Sequence, residues 1–441
     1  MLIAPYVQTA IEKIEAKGFF AYLVGGSLRD LIRGVPVNDW DIATSATPDQ
    51  MKEVFAGHQT IETGIQHGTL SVILDQDQVE ITTFRRDGEY LDYRRPVHVG
   101  FVNSIEEDLA RRDFTMNAIA YNPKTGLVDP YGGIGDIDYG IIRSVGDPDN
   151  RLNEDALRIM RALRFAATMG FEIENDLSKS LHTNRALLAK IAPERICTEL
   201  MKMLIGEDIL STLLDYPDVL AAVIPEIQAA VGFDQKSKYH RYDIWEHTAR
   251  AVEAGKPDPT VRLALLFHDL GKPAKFFIDD TGEGHFYGHD ILSEELARAR
   301  LKELRFSNSL IDSVATAIRF HQIRVNPDTT QKWLRRLGED MLRLVIEVSR
   351  GDMAAHADEV VSPMLAALQS SEERLDELIA KGQCFRISDL AINGNDLKAI
   401  GLEEGREIGR VLSYLLDMVI DGDLENTREE LLLAAEACSA I

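Results

Sequence analysis

The feature that most restricts this chain is a change of local pattern near residue 150. Before it, FFAYLVGG, DWDIAT, GTLSVIL and QVEITTFR are short runs rich in β-branched and aromatic residues, and they read as strands. Residues 1–17 and SLRDLIRG read as helices set among them. From Leu152 onward helix formers dominate and strand signals nearly vanish. A chain of 441 residues is too long for one core and divides into two to four packed units. The pattern therefore predicts an α+β protein with a small mixed head over about 1–140 and an all-helical remainder. That remainder divides into about 141–230, a histidine-rich block of about 231–360, and a helical tail of 361–441. Seven of the eleven histidines fall between His240 and His356.

Cys197, Cys384 and Cys438 are scattered and form no CxxC, which favours a reducing compartment and excludes a thiolate metal site. The first helix is broken by Glu12, Lys13, Glu15 and Lys17, unlike a secretory signal. No window reaches the roughly 18 uncharged apolar residues of a membrane span. A soluble, cytoplasmic protein without a membrane partner is expected. The net charge of −24 opposes a nucleic-acid partner at first sight. The arginines are clustered, however: Arg85, Arg86, Arg94, Arg95, Arg111, Arg112, Arg143, Arg151, Arg158, Arg161 and Arg164 lie within 80 residues. An acidic body with one concentrated arginine face can bind polyphosphate, although about a third of these side chains are expected to be solvated surface groups.

In LVGGSLRD, Gly25 and Gly26 follow a strand and Ser27 opens a helix. Residues without Cβ let the backbone approach a phosphate chain, and a helix N-terminus offers N–H donors to it. Thirteen residues past Gly26 comes Asp39-Trp40-Asp41. In an extended segment residues i and i+2 share a side, so both carboxylates would face one cleft. Like charges this close need cations, and Mg²⁺ prefers carboxylates together with substrate phosphates. Glu80, on a neighbouring strand, could complete a two-metal site. One ion would activate an attacking hydroxyl and the other would neutralise departing pyrophosphate.

GGSLRD, DWDIAT, RRDFTMNAIA and NEDALRIMRALRF follow one another in an order that resembles the bacterial tRNA nucleotidyltransferase and poly(A) polymerase family, a class II branch of the polymerase-β-like superfamily. The resemblance covers at least residues 20–230. It implies a five-stranded catalytic head followed by helical neck, body and tail. It places the metal aspartates on Asp39 and Asp41 and the nucleotide contacts on Gly26, Arg29 and Arg112, with Arg111 beside them. Glu80 and Asp113 compete for the third carboxylate.

Asp155 and Arg158 stand three apart in NEDALRIMRALRF and would share a helix face, with Arg161 and Arg164 continuing the stripe. Cytosine and adenine each present an amino donor beside a ring-nitrogen acceptor. Asp accepts and Arg donates, so this pair matches either base edge. Uracil and guanine would leave groups unpaired at about 1–3 kcal/mol each. The resemblance implies the same role: an amino-acid template that selects CTP and then ATP for a tRNA 3′ end, with Arg161 and Arg164 on the triphosphate. Relatives add CC, A, CCA or poly(A). The polar loop RDGEYLDYRRP (86–96) and the tail SDLAINGNDLKAIGLEEGREIGRVL favour the full CCA enzyme over the CC-only kind.

His247 of WEHT, His268 and Asp269 of LLFHDLGKP, and Asp352 of RGDMAAH resemble the H…HD…D signature of the HD phosphohydrolases. Such a set suits Ni²⁺, Mn²⁺, Co²⁺ or Mg²⁺. His289 and His321 could extend the site or bind a phosphate. Phosphoesterase action on cyclic or terminal phosphates of damaged tRNA ends is the activity this implies. Two readings of other classes compete: a phosphohydrolase whose head merely senses nucleotide, and a non-catalytic RNA-binding protein. Paired metal carboxylates count against both.

Overall fold

The computed structural model describes residues 2–37, 39–65, 68–87, 99–237, 241–356, 358–380, 387–402, 405–421 and 423–439. Most of the 86–96 loop and Cys384 lie outside these residues. The chain forms two compact units, one of residues 1–228 with 303–306 and one of 229–302 with 307–441.

In the first unit the head opens with helix α1 (Pro5–Ala16), then β1 (Ala21–Val24), α2 (Gly25–Arg33), β2 (Trp40–Thr44), α3 (Pro48–Val54), β3 (Gln59–Ile61), β4 (Thr69–Leu74) and β5 (Asp77–Thr83). The hairpin β6 (Arg85–Asp87) and β7 (Val99–Phe101), helix α4 (Ile105–Ala110), β8 (Ala120–Asn122), β9 (Gly126–Val128) and α5 (Gly133–Tyr139) complete it. The sheet order is β3-β4-β5-β2-β1-β8-β9. These seven strands replace the five expected; β3, β8 and β9 are three residues long and too short to show a period of two. The pairing of β2 with β5 is the one parallel contact in this sheet, and it sets Asp41 directly beside Glu80. Beneath β1, β2, α4 and β8, the buried side chains Val24, Ala43, Phe84, Ile105, Leu109, Ala118, Ala120 and Val145 form one cluster that fixes α4 against the sheet.

A two-residue strand β10 (Ile141–Ile142) leads to α6 (Pro148–Glu154), α7 (Leu157–Met169), β11 (Glu172–Ile173), α8 (Asn175–Asn184), α9 (Pro193–Leu204), α10 (Ile209–Asp215), α11 (Pro217–Ala221) and α12 (Ile227–Ala230). β10 pairs with β11, and the boundary expected at 140/141 is stitched across by other backbone hydrogen bonds, from the Glu172 N–H to the Gly140 carbonyl, the Thr115 N–H to the Arg143 carbonyl and the Val145 N–H to the Asp113 carbonyl. α6 starts where physics favours it: Asp147 accepts from the Asn150 N–H and Pro148 occupies the first turn.

The second unit contains α13 (Ile244–Ala254), α14 (Pro259–Phe267), α15 (Lys272–Lys275), the short pair β12 (Phe277–Ile278) and β13 (Gly284–His285), α16 (His289–Glu303), α17 (Asn308–Phe320), α18 (Pro327–Leu337), α19 (Glu339–Ala354), α20 (Asp358–Ala380), α21 (Gly394–Ala399), α22 (Arg406–Asp421) and α23 (Arg428–Ser439). α20 runs straight through the division expected at 360/361, because nothing in that stretch breaks a helix except Pro363, which falls in its second turn. The tail has its own apolar cluster, centred on Leu397, Leu415 and Leu431.

Gly133 shows how tightly the head is packed. A Cβ there would lie 2.1 Å from the Thr115 carbonyl oxygen. Gly133→Ala is expected to cost the first unit about 1–3 kcal/mol. Denaturant unfolding followed by a probe in the head should show a lowered midpoint, with a probe in the second unit unmoved.

Candidate active site

Gly25 adopts φ +69°, and a Cβ at that position would stand 3.2 Å from Arg112 Nη1 and 3.4 Å from Asp41 Oδ2. Glycine therefore serves here as clearance for a cation and a carboxylate as well as for the turn. The helix begins at Gly25, two residues before the expected start. Ser27 ties the two motifs together: its hydroxyl donates to the Val24 carbonyl at 2.8 Å and accepts the Asp41 N–H at 3.3 Å.

Asp41 sits in β2, while Asp39 is exposed in the bend that precedes it. Burial, then the charge of Glu80, push the Asp41 carboxyl up to about 6; Arg112 pulls it down and Asp39 pushes it up again. Two neighbouring acids thus act on Asp41, and a divalent cation relieves such repulsion. Among the described residues, Asp39, Asp41 and Glu80 do not form a group of three with ligating atoms all within 4.8 Å. Asp113 is spent elsewhere. Its carboxylate accepts from Arg161 Nη2 at 2.6 Å and Nε at 2.9 Å, and from Asn117 Nδ2 at 3.0 Å. Burial alone would raise its pKa, but Arg161 and Asn117 hold it well below the ordinary carboxylate range.

Arg111 and Arg112 share one buried acid that the motif reading missed. Asp108, 1% exposed, accepts from Arg111 Nη2 at 2.7 Å, Arg111 Nε at 3.1 Å, Arg112 Nη2 at 3.0 Å and the Arg85 N–H at 3.2 Å. Its pKa is lowered because these guanidinium charges outweigh the cost of burial. Arg112 Nε has no acceptor.

Asp155 is not on a helix with Arg158, as the three-residue spacing suggested. It has extended backbone (φ −136°, ψ 101°) and separates α6 from α7. Its carboxylate receives two bonds from Arg195 of α9, at 2.8 and 3.2 Å, and a third from the Leu157 N–H at 3.1 Å. Arg158 Nη1 donates to the Arg151 carbonyl and to Glu154, and its Nη2 to the Arg111 carbonyl. Asp155 and Arg158 nevertheless line one pocket of about 470 Å³, together with Asp41, Arg111, Arg112, Asp113, Arg161 and Arg195. A second hollow of about 350 Å³ is lined by Gly25, Gly26, Arg29, Arg112, Arg161 and Arg164, among others. There Phe165 lies under three guanidinium groups, with Arg164 at 3.8 Å, Arg29 at 5.1 Å and Arg161 at 5.4 Å from the ring centre. Arg164 is anchored by Glu199 at 2.6 Å and Arg29 by Asn117 at 2.8 Å.

The arginine face expected from composition is thus an internally paired network: Arg111, Arg112 and Arg158 lie on acids three or four residues away, and Arg161, Arg164 and Arg195 on acids 35 to 48 residues away. Arg29 pairs with its neighbour Asp30. Arg143 and Arg151 turn to structural acids, Asp136 and Glu154.

The second unit holds a separate centre. His247 of α13, His268 and Asp269 at the end of α14, and Asp352 of α19 converge with almost no exposure. His247 Nε2 lies 2.9 Å from Asp352 Oδ1 and 3.5 Å from Asp269 Oδ2; His268 Nε2 lies 3.2 Å from Asp269 Oδ2. His268 caps α14 and Asp269 falls beyond it, so both reach one point without the helix-edge geometry expected of neighbours. Burial holds His247 low, whereas Asp269 and Asp352 outweigh burial at His268 and raise it. Lys272 Nζ stands 2.6 Å from Asp269 Oδ2. His268 Nε2 nonetheless has no well-aligned hydrogen-bond partner. Such orphaned buried groups fit a divalent ion of mixed N/O preference.

Residues 21–143 match the poly A polymerase head domain, 170–231 the probable RNA and SrmB-binding site of polymerase A, and 289–435 the putative tRNA nucleotidyltransferase domain 2. The CCA-adding enzyme of Enterococcus faecalis is 34% identical over 429 residues, covering 97% of this chain and 94% of that one. The one from Latilactobacillus sakei is 35% identical, covering 97% and 96%. The chain belongs to the CCA-adding enzyme family. The solved Bacillus stearothermophilus CCA-adding enzyme in complex with CTP is similar in fold, with a TM-score of 0.75 at 28% identity over 99% of this chain and 98% of that one. A Thermotoga maritima CCA-adding enzyme complexed with tRNA shares the fold at a TM-score of 0.56 and 22% identity, covering 99% and 96%.

The chain is thus a nucleotidyltransferase of the CCA-adding family, and its head holds the guanidinium groups of Arg111 and Arg112 on one buried acid. Asp108→Asn keeps the shape but removes the charge that Arg111 and Arg112 share. Nucleoside triphosphate affinity, read by calorimetry, is expected to fall at least ten-fold. Stability should fall by about 3 kcal/mol, the lower end for breaking a buried pair. Because the folded carboxyl is held below its ordinary value, the wild-type contribution is complete above about pH 4 and is lost as pH falls further. The variant should lack that acid-side loss.

Proposed function

We propose that this protein adds C, C and A to the 3′ end of tRNA from CTP and ATP, without a nucleic-acid template. The observation that carries this reading is the shared lining of the 470 Å³ pocket, in which the base-reading pair Asp155 and Arg158 stands with Asp41 and Arg112. Similarity to CCA-adding enzymes along nearly the whole length favours CCA over A-only or poly(A) addition.

Asp39, Asp41 and Glu80 would hold Mg²⁺, which supplies activation of the 3′-hydroxyl and charge neutralisation at the departing pyrophosphate. Arg112, with its unpaired Nε, and Arg111 orient the triphosphate. Arg29, Arg161 and Arg164 surround its approach past Gly25 and Gly26. The carboxylate of Asp155 is held by two bonds to Arg195 and one from the Leu157 N–H, so its remaining Oδ2 lone pair faces an amino group in a set direction. Arg158 keeps its Nε–H and one Nη2 N–H without a protein acceptor, and these suit a ring nitrogen. Cytosine and adenine satisfy both residues; uracil and guanine do not.

The buried His/Asp centre supports a second activity, metal-dependent hydrolysis of cyclic or terminal phosphates on damaged tRNA ends. A divalent ion there, Ni²⁺, Mn²⁺ or Co²⁺, would supply a water of lowered pKa.

Incubating variants with tRNA lacking CCA, tRNA ending in CC, and each triphosphate tests the main reading. Asp41→Ala should lose at least a hundred-fold in nucleotide addition while keeping tRNA binding. It should also leave any metal-dependent phosphoesterase activity intact, and His268→Ala with Asp269→Ala should do the reverse. Addition retained above about a hundredth of the wild-type rate would contradict metal-ion catalysis through Asp41.

Base choice gives an independent check. Asp155→Ala and Arg158→Ala should relax discrimination against UTP and GTP ten-fold or more, at about 1–3 kcal/mol per unpaired group. Arg195→Ala, which frees the carboxylate of Asp155, should relax it in the same direction and less. Equal loss for all four triphosphates would make this helix junction merely structural.

A further inference from the structure

Three arginines lining the 350 Å³ hollow of the head share one aromatic ring. Arg161, Arg164 and Phe165 belong to α7, whereas Arg29 comes from α2, far earlier in the chain. The guanidinium carbons of Arg164, Arg29 and Arg161 lie 3.8, 5.1 and 5.4 Å from the centre of the Phe165 ring. The ring itself is buried, and Phe114 meets it at 89° with centres 5.8 Å apart, which fixes its plane.

Among the described residues no acid pairs with all three guanidinium groups. Asp30 takes Arg29, Asp113 takes Arg161, and Glu199 takes Arg164 at 2.6 Å with Arg161 more distant at 3.8 Å. The three side chains are largely shielded from water, so little of their mutual repulsion is screened. Burial lowers the pKa of Arg164, Glu199 raises it, and the charge of Arg161 lowers it again.

A π face differs from a carboxylate in what it leaves free. Its quadrupole attracts cations, yet it carries no net charge and occupies no N–H donor in the guanidinium plane. A carboxylate in the same place would consume donors and repel phosphate. Arg164 shows the consequence: it donates to protein only through Nε, to Glu199, and both of its Nη groups keep their N–H donors. Stacked guanidinium planes thus turn their edges to phosphate oxygens.

We propose that Phe165 is a positioning residue for the triphosphate, its π face holding the guanidinium groups of Arg164, Arg29 and Arg161 together before phosphates arrive. This rests on the reading above that the hollow takes the triphosphate, and adds to it the ring that arranges the cations. Because the ring acts through phosphate contacts and not through the base, its effect is the same for CTP, ATP and inorganic tripolyphosphate.

The test replaces Phe165 in the full chain with phenylalanines bearing one, two and three ring fluorines, which keep the shape while draining the π face. Calorimetry with CTP and, separately, with tripolyphosphate should show Kd rising with each fluorine, about ten-fold over the series. Phe165→Leu should weaken both ligands at least as much, and circular dichroism spectra should coincide throughout. Arg29→Ala and Arg164→Ala are the references, each expected to weaken both ligands. If they do while the fluorinated series stays flat, the ring is packing alone and the proposal is overturned. If neither arginine variant changes the affinity, the triphosphate reading of the hollow falls and the proposal falls with it.

Discussion

The arginine-lined pocket of the head depends on one carboxylate that is almost wholly buried. Asp108 lies on α4, which a core of Val24, Ala43, Phe84, Ile105 and Leu109 presses against the sheet. Four N–H groups from Arg85, Arg111 and Arg112 converge on it. Two guanidinium groups with no shared anion would repel each other and drift. Held on one acid, they stay fixed, and Arg112 remains within reach of Gly25 and Asp41. The same device recurs around the pocket, with Asp113 under Arg161, Glu199 under Arg164 and Asp155 under Arg195. Each pair has paid its desolvation on folding, so little reorganisation remains when substrate binds.

How much of this the amino-acid order revealed depended on the distance over which each contact is made. Gly25, Gly26, Asp39 and Asp41 stood out because a strand, a turn and a helix start carry them within a few residues. The helical remainder stood out because its period is local. Arg195 did not, since its partner Asp155 lies 40 positions away and nothing in PERICTEL distinguishes a positioning arginine from a solvated one. Glu199 was hidden in the same way, 35 positions from Arg164. Asp108 left a trace, in that Arg111 and Arg112 follow it at the three- and four-residue spacings that share a helix face. Asp155 misled because the spacing to Arg158 is helical while its backbone is not. The break places its carboxylate where α9 can hold it.

A body carrying −24 charges that takes up polyphosphate appears contradictory only if the field does the recognising. In this head nearly every arginine that lines the pockets is already matched by an acid, so the site offers less long-range attraction than its arginine count suggests. On the function proposed above, recognition rests on short-range geometry: two N–H groups of Arg158 left open, the Nε of Arg112, and one remaining lone-pair direction on Asp155. Such an arrangement discriminates by what goes unpaired, and that is the form of selection needed to tell cytosine and adenine from uracil and guanine.

The two units solve opposite electrostatic problems. In the head, mutually repelling carboxylates lie near a surface cleft, where substrate phosphates and waters can complete the shell of a hard ion. In the second unit the carboxylates are buried and the other candidate ligands are imidazoles, whose orientation is set by backbone carbonyls three residues earlier in the chain. Burial there makes an unmatched acceptor costly, so Lys272 and a proton on His268 stand in for missing positive charge. Neither substitute reaches every lone pair, which is why His289 Nε2 and Asp269 Oδ1 stay orphaned. Buried acceptors of this kind fit a divalent ion of mixed N/O preference.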